Sequence, residues 1–145
     1  MDQKPQHEVP RYDLQERLLD FAASVTDLAE ALPATRTGNH IAGQLVRSGT
    51  SPAANHAEAQ GAESRKDFVH MMRVGLKELR ETKVWLSLVK RKKTMDAPRG
   101  LDEVLSECDE LIAIFVASIR TATANRKGAL DAGNGPTPEN MSVGG

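Results

Sequence analysis

Four polar side chains, Arg47, Ser51, Asn55 and Glu58, recur at spacings of four, four and three residues in a stretch that otherwise reads as helix. That spacing puts a cation, a hydroxyl, an amide and a carboxylate along one helix face. Such a set could serve a ligand or nucleic-acid site, or a polar network that fixes the register of neighbouring helices or subunits. A small apolar stripe, Leu45, Ala53, Ala54 and Ala57, runs beside it. The pair of stripes describes a helix set among others with specific polar partners, and the network reading is favoured. Ser48 and Ser51 lack a base and an orienting acid in the relation that nucleophilic catalysis needs.

Other chemistry is sparser. A di-metal carboxylate bundle takes two Glu-x-x-His pairs and two further inward carboxylates. The chain offers only Asp67-x-x-His70, and His56 has no carboxylate three residues before it. No metal site, cofactor or catalytic residue is therefore expected. The single cysteine, Cys108, excludes an internal disulfide and a cysteine-rich zinc site, and its place on an apolar seam reads as core. His7 and His40 read as surface residues and Trp85 as a packing residue. Lys90, Arg91, Lys92 and Lys93, with Arg99 beyond, form the candidate nucleic-acid contact; the same cations complement a helix dipole at its C-terminal end.

Four helices must position these groups. Leu14, Leu18, Phe21, Val25, Leu28 and Leu32 step by four and three, an apolar seam that Pro33 ends. After a connection over 33–38, Asn39 is the expected N-cap of a second helix reaching about Gln60. Gly49 and Pro52 predict a kink or a break near 48–52, with Ser48 or Ser51 satisfying the freed carbonyl. Gly61 closes that helix, and Ser64 with Asp67 opens the third. Its seam is Phe68, Met72, Gly75, Leu79, Thr82, Leu86 and Val89, and the bare Gly75 invites close approach of a neighbour. The turn Ala97-Pro98-Arg99-Gly100 leads to a fourth helix carrying Leu101, Val104, Leu105, Cys108, Leu111, Ile112, Phe115, Val116 and Ile119.

The expected class is all-α, an up-down-up-down four-helix bundle over residues 12–124. A flexible arm (1–11) and a disordered tail (125–145) are expected to flank it. Aromatics at 3% suit helix packing, and 19 basic against 20 acidic residues leave a net charge of -1, so nucleic-acid binding would require a local patch. No signal-peptide pattern and no membrane-length apolar run is visible, which predicts a cytoplasmic protein.

Short turns make the second and third helices antiparallel. A turn centred at 62–63 sets Arg47 level with Glu78, one turn from Glu81, so Arg47 is expected to pair with one of them. The same count sets Asn55 level with His70, and Glu58 near Lys66 and Asp67.

At these residues the chain resembles the four-helix-bundle family of the 23S rRNA intervening-sequence proteins. The likeness rests on Arg47-Ser48, Ser51-Pro52, Asn55, Glu58-Ala59 and Gly61. The third helix adds Asp67-Phe68, Leu76, Glu78, Glu81 and Trp85-Leu86. It spans about residues 12–122. The resemblance implies a bacterial four-helix bundle assembled as a ring-shaped homopentamer. The family is also similar to the accessory variability protein of diversity-generating retroelements, which binds reverse transcriptase and nucleic acid and is markedly more basic. The implied function is a non-enzymatic adaptor or assembly module for a nucleic acid or a protein such as a reverse transcriptase. The alternatives are a purely structural oligomer or a metal-dependent enzyme.

Overall fold

The computed structural model describes residues 14–92 and 96–133. It contains α1 (Leu14–Glu30), α2 (Arg36–Gln60), α3 (Arg65–Arg91) and α4 (Leu101–Gly133). Among the described residues there are helices and turns only. The chain neighbours α1–α2, α2–α3 and α3–α4 pack together, and α1 closes on α4 along a thinner seam. This is the four-helix arrangement that the apolar seams call for, with α1 and α3 across one diagonal.

Heptad spacing decides the core. Leu18, Phe21, Val25 and Leu28 of α1, Met72, Leu79, Leu86 and Val89 of α3, and Cys108, Leu111 and Phe115 of α4 are buried. Leu14 and Phe68, at the outer ends of two seams, pack against that core only in part. Gly75 admits the Phe115 ring, since a Cβ there would stand 2.7 Å from Phe115 Cε2.

Several boundaries differ from expectation. The N-cap of α2 is Thr35, not Asn39: its backbone is extended and its hydroxyl accepts from Gly38 N at 3.0 Å. A Thr side chain both favours extended backbone and satisfies an orphan donor of the first turn. Ser64 caps α3 as expected, accepting from Asp67 N at 3.1 Å. At Gly100 a positive φ of 85° turns the chain into α4, a conformation that costs glycine little.

Pro52 does not divide α2, which runs continuously from Arg36 to Gln60. The Thr50 and Ser51 hydroxyls bond the carbonyls of Val46 and Arg47, each at 2.7 Å, rather than the one Pro52 frees. Gly49 serves packing: a Cβ there would lie 2.5 Å from Val25 Cγ1, so α1 approaches α2 closely at this point. Of the small apolar stripe, Leu45 and Ala53 are buried while Ala54 and Ala57 are exposed.

The fourth helix passes the expected limit at 124 and reaches Gly133. Arg126, Lys127, Ala129 and Leu130 are good helix formers, and extending a formed helix is far easier than nucleating one. The expected arm (1–11) and the rest of the tail (134–145) lie outside the described residues.

Candidate functional site

Arg47 projects from α2 toward α3, where Glu78 and Glu81 stand one turn apart. Its Nη1 donates to Glu78 Oε1 at 3.1 Å, and its Nη2 donates to Glu81 Oε2 and to Gln44 Oε1, the latter at 3.2 Å. Arg47 therefore takes both carboxylates instead of one. Glu81 Oε2 also accepts from Trp85 Nε1 at 3.1 Å, and the His40 ring meets Trp85 edge-on with centroids 5.6 Å apart. The guanidinium is about half exposed, whereas Glu78 is 17% exposed. A fixed cation between two carboxylates clamps helices together; it supplies neither a nucleophile nor a free base.

The remaining members of the polar stripe do not join this clamp. Ser51 bonds its own helix at the Arg47 carbonyl. Asn55 is half-buried; its Oδ1 meets no donor among the described residues. Glu58 is exposed and makes no ion pair among the described residues. Asn55 faces Gly75 rather than His70: a Cβ on Gly75 would stand 3.4 Å from Asn55 Cβ. Side chains tilt toward the N-terminus of their own helix. Across this antiparallel pair, α2 side chains thus reach away from the turn and α3 side chains reach back toward it. Contacts accordingly fall further along α3 than backbone height implies.

The same displacement joins Ser48 to Thr82, both fully buried. Thr82 Oγ1 lies 2.8 Å from the Glu78 carbonyl and 2.9 Å from Ser48 Oγ. Thr82 has one proton, so when it donates to the carbonyl, Ser48 is the donor of the second bond. The signal available in the sequence was a threonine on an otherwise apolar seam.

A second polar group ties α1 to α2. Gln15 Nε2 donates to the Ala53 carbonyl at 3.0 Å, while Gln15 Oε1 lies 2.6 Å from His56 Nδ1. The Gln60 amide stands 3.0 Å from His56 Nε2. The amide donates there, so Nε2 accepts and Nδ1 carries the proton. His56 is 4% exposed, and burial pushes its pKa below the ordinary value. Nothing in the spacing of Gln15, His56 and Gln60 reveals this group.

The basic run is dispersed. Lys90 pairs with Asp102 at 2.8 Å, Arg91 donates to the Ser87 carbonyl at 3.4 Å, and Lys92 is the half-buried C-cap of α3. Arg99 lines a separate groove with Asp27 of α1 and Glu103 of α4, and Lys93 lies outside the described residues. Lys83 pairs across the same α3–α4 seam as Lys90, with Asp109 at 2.7 Å, and Arg17 ties α1 to α4 through Glu107 and Glu110 at 2.6 and 3.0 Å.

Cys108 Sγ donates to the Leu79 carbonyl at 3.3 Å, and burial pushes the thiol up to about 12. At neutral pH it is a protonated core residue. Among the described residues no three His, Cys, Asp or Glu side chains converge on a point that could hold a metal ion. Asp67 and His70 both face solvent. No helix among them is long and apolar enough to cross a membrane.

A family model described as 23S rRNA-intervening sequence protein matches residues 11–117. The fold is similar to a crystal structure from Bacteroides thetaiotaomicron, described as a protein with unknown function from the S23 ribosomal protein family. That likeness has a TM-score of 0.66 and 29% identity, covering 73% of this chain and 97% of the other. No curated protein matches the chain.

Proposed function

The chain belongs to the 23S rRNA-intervening sequence protein family, and on that premise we propose that it works by binding rather than by catalysis. It is a homo-oligomeric adaptor that holds a nucleic acid, or a nucleic-acid-processing protein such as a reverse transcriptase, on repeated surfaces. The observation that carries this reading is an uneven division of charge. The chain is near neutral, yet α3 holds eight Lys and Arg against three Asp and Glu. Arg73, Lys77 and Arg80 are exposed and have no carboxylate partner among the described residues. A surface of unneutralised cations is suited to an anionic partner, either a phosphate backbone or an acidic protein face within the oligomer. Arg91 and Lys92 at the C-terminal end of α3, with Lys93 next in sequence, form the proposed phosphate contact, repeated in each subunit of the oligomer.

The test is solution mass by size exclusion with light scattering, with and without structured RNA. Replacing Lys90, Arg91, Lys92, Lys93 and Arg99 by Gln should leave the mass unchanged, weaken co-elution of RNA and flatten its salt dependence. A parent protein that runs at 15.7 kDa and ignores RNA refutes the adaptor reading. An oligomer that ignores RNA and every protein partner leaves a purely structural assembly.

A further inference from the structure

The charge on this bundle is divided across a diagonal. Opposite α3, the acidic helix is α1, with Glu16, Asp20, Asp27 and Glu30 against the single Arg17. All four carboxylates are exposed. Arg17 points away from them, into its ion pairs with α4. The α1 and α3 outer faces thus lie on opposite sides of the molecule, separated by α2 and α4, and cannot neutralise each other within one chain. Each also exposes a large apolar side chain, Leu19 at 48% and Val84 at 61%. Val84 opens onto a groove of about 570 Å³, shared with Arg80, Leu88 and Arg91.

The two faces match in height as well as in sign. Val25 of α1 packs on Gly49 of α2, and the adjacent Ser48 bonds Thr82 of α3. Val25 and Thr82 therefore share a level. Counting nine residues back along each helix reaches Glu16 and Arg73, and counting five back reaches Asp20 and Lys77. In up-down-up-down order α1 and α3 run parallel. A rotation about an axis parallel to the bundle lays α1 of one copy beside α3 of the next without changing those heights.

We propose that the basic outer face of α3 receives the acidic outer face of α1 from a second copy of this chain, in a head-to-tail contact. Glu16 then opposes Arg73 and Asp20 opposes Lys77; Leu19 adds apolar area between these charges, and Val84, level with Asp27, adds it beyond them toward the C-terminal end of α3. A contact between two different faces is heterologous, so it propagates into a closed ring where the rotation permits. Exposed ion pairs contribute little singly and are screened by salt. Their part is to select the partner face and set its register, which makes assembly sensitive to salt and to charge reversal. The inference rests on the homo-oligomer in the reading above and assigns its interface.

The test is a charge-reversal exchange followed by light scattering at low and high salt, with thermal melts confirming folded protein. The parent should exceed 15.7 kDa and lose mass as salt rises. Glu16→Lys with Asp20→Lys should lower the mass, as should Arg73→Glu with Lys77→Glu. All four changes in one chain should restore it. If a reversed chain fails to fold, the corresponding Gln pair replaces it and should lower the mass in the same direction. A parent of monomer mass at every salt concentration overturns both the oligomer and this interface. An oligomer indifferent to either reversal overturns the interface alone. If the Arg73 and Lys77 reversal keeps the parental mass but abolishes RNA co-elution, that face serves nucleic acid and the inference falls.

Discussion

Replacing Gly49 by Ala separates two roles for a glycine in mid-helix. If Gly49 served only to loosen α2 before Pro52, alanine would stabilise the helix by up to about 1 kcal/mol, because glycine loses more backbone entropy on folding. The structure places Val25 Cγ1 2.5 Å from where the new Cβ would sit, so one of the two must move by about 1 Å to reach ordinary carbon contact. Val25 is fully buried and branched at Cβ, which leaves it few ways to turn aside. Overpacking of this kind costs about 1–3 kcal/mol. Set against the propensity gain, the expected net loss is about 1 kcal/mol, or roughly 2–4 °C in Tm for a chain of this size. Urea unfolding of Gly49→Ala, Val25→Ala and the double variant measures it as a cycle. Truncating Val25 makes room, so the two losses should not add, and a relieving coupling of about 1 kcal/mol is expected. A more stable Gly49→Ala protein, or additive losses in the double variant, would refute the close-packing account.

The helix clamp and the buried histidine make two further predictions. Glu78→Gln with Glu81→Gln should remove both charged partners of Arg47 and lower stability by about 1 kcal/mol, a modest loss because Arg47 is half exposed. Urea melts at low and high salt check this, and an unchanged midpoint with an unchanged oligomer mass would show that the clamp holds nothing. His56 has a folded pKa below its ordinary 6.5. As pH falls below 6.5 the unfolded chain takes up the proton first, so stability should decline from that point until the folded pKa is passed. His56→Gln should lose this component of the slope in a Tm-against-pH series; an identical slope in parent and variant would contradict the buried neutral imidazole.

Much of the bundle was legible in the sequence because its information is periodic. Apolar steps of four and three residues specify which stripe of each helix is buried, whatever that stripe later meets. Thus Leu18, Phe21, Val25, Met72, Leu79, Leu86, Leu111 and Phe115 could be placed inside before any partner was known. The meeting of Arg47 with Glu78 and Glu81 was also within reach, since a short turn ties α2 to α3 and long side chains tolerate a small error in height.

Short side chains do not tolerate it. Ser48 finding Thr82, and Asn55 facing Gly75 instead of His70, depend on the opposed tilt of side chains across an antiparallel pair. The meaning of Gly49 was likewise decided elsewhere, since a bare backbone reads as flexibility until Val25 of another helix is seen against it. The Gln15–His56–Gln60 group joins residues 41 positions apart in sequence, with no periodic signal to connect them. The basic run lost its unity in the same way, Lys90 to a carboxylate of α4 and Lys92 to a helix end. Local sequence determined which face of each helix turns inward. Only the packing of four helices decided which polar groups meet, because that depends on heights and rotations shared among elements that no single stretch of chain encodes.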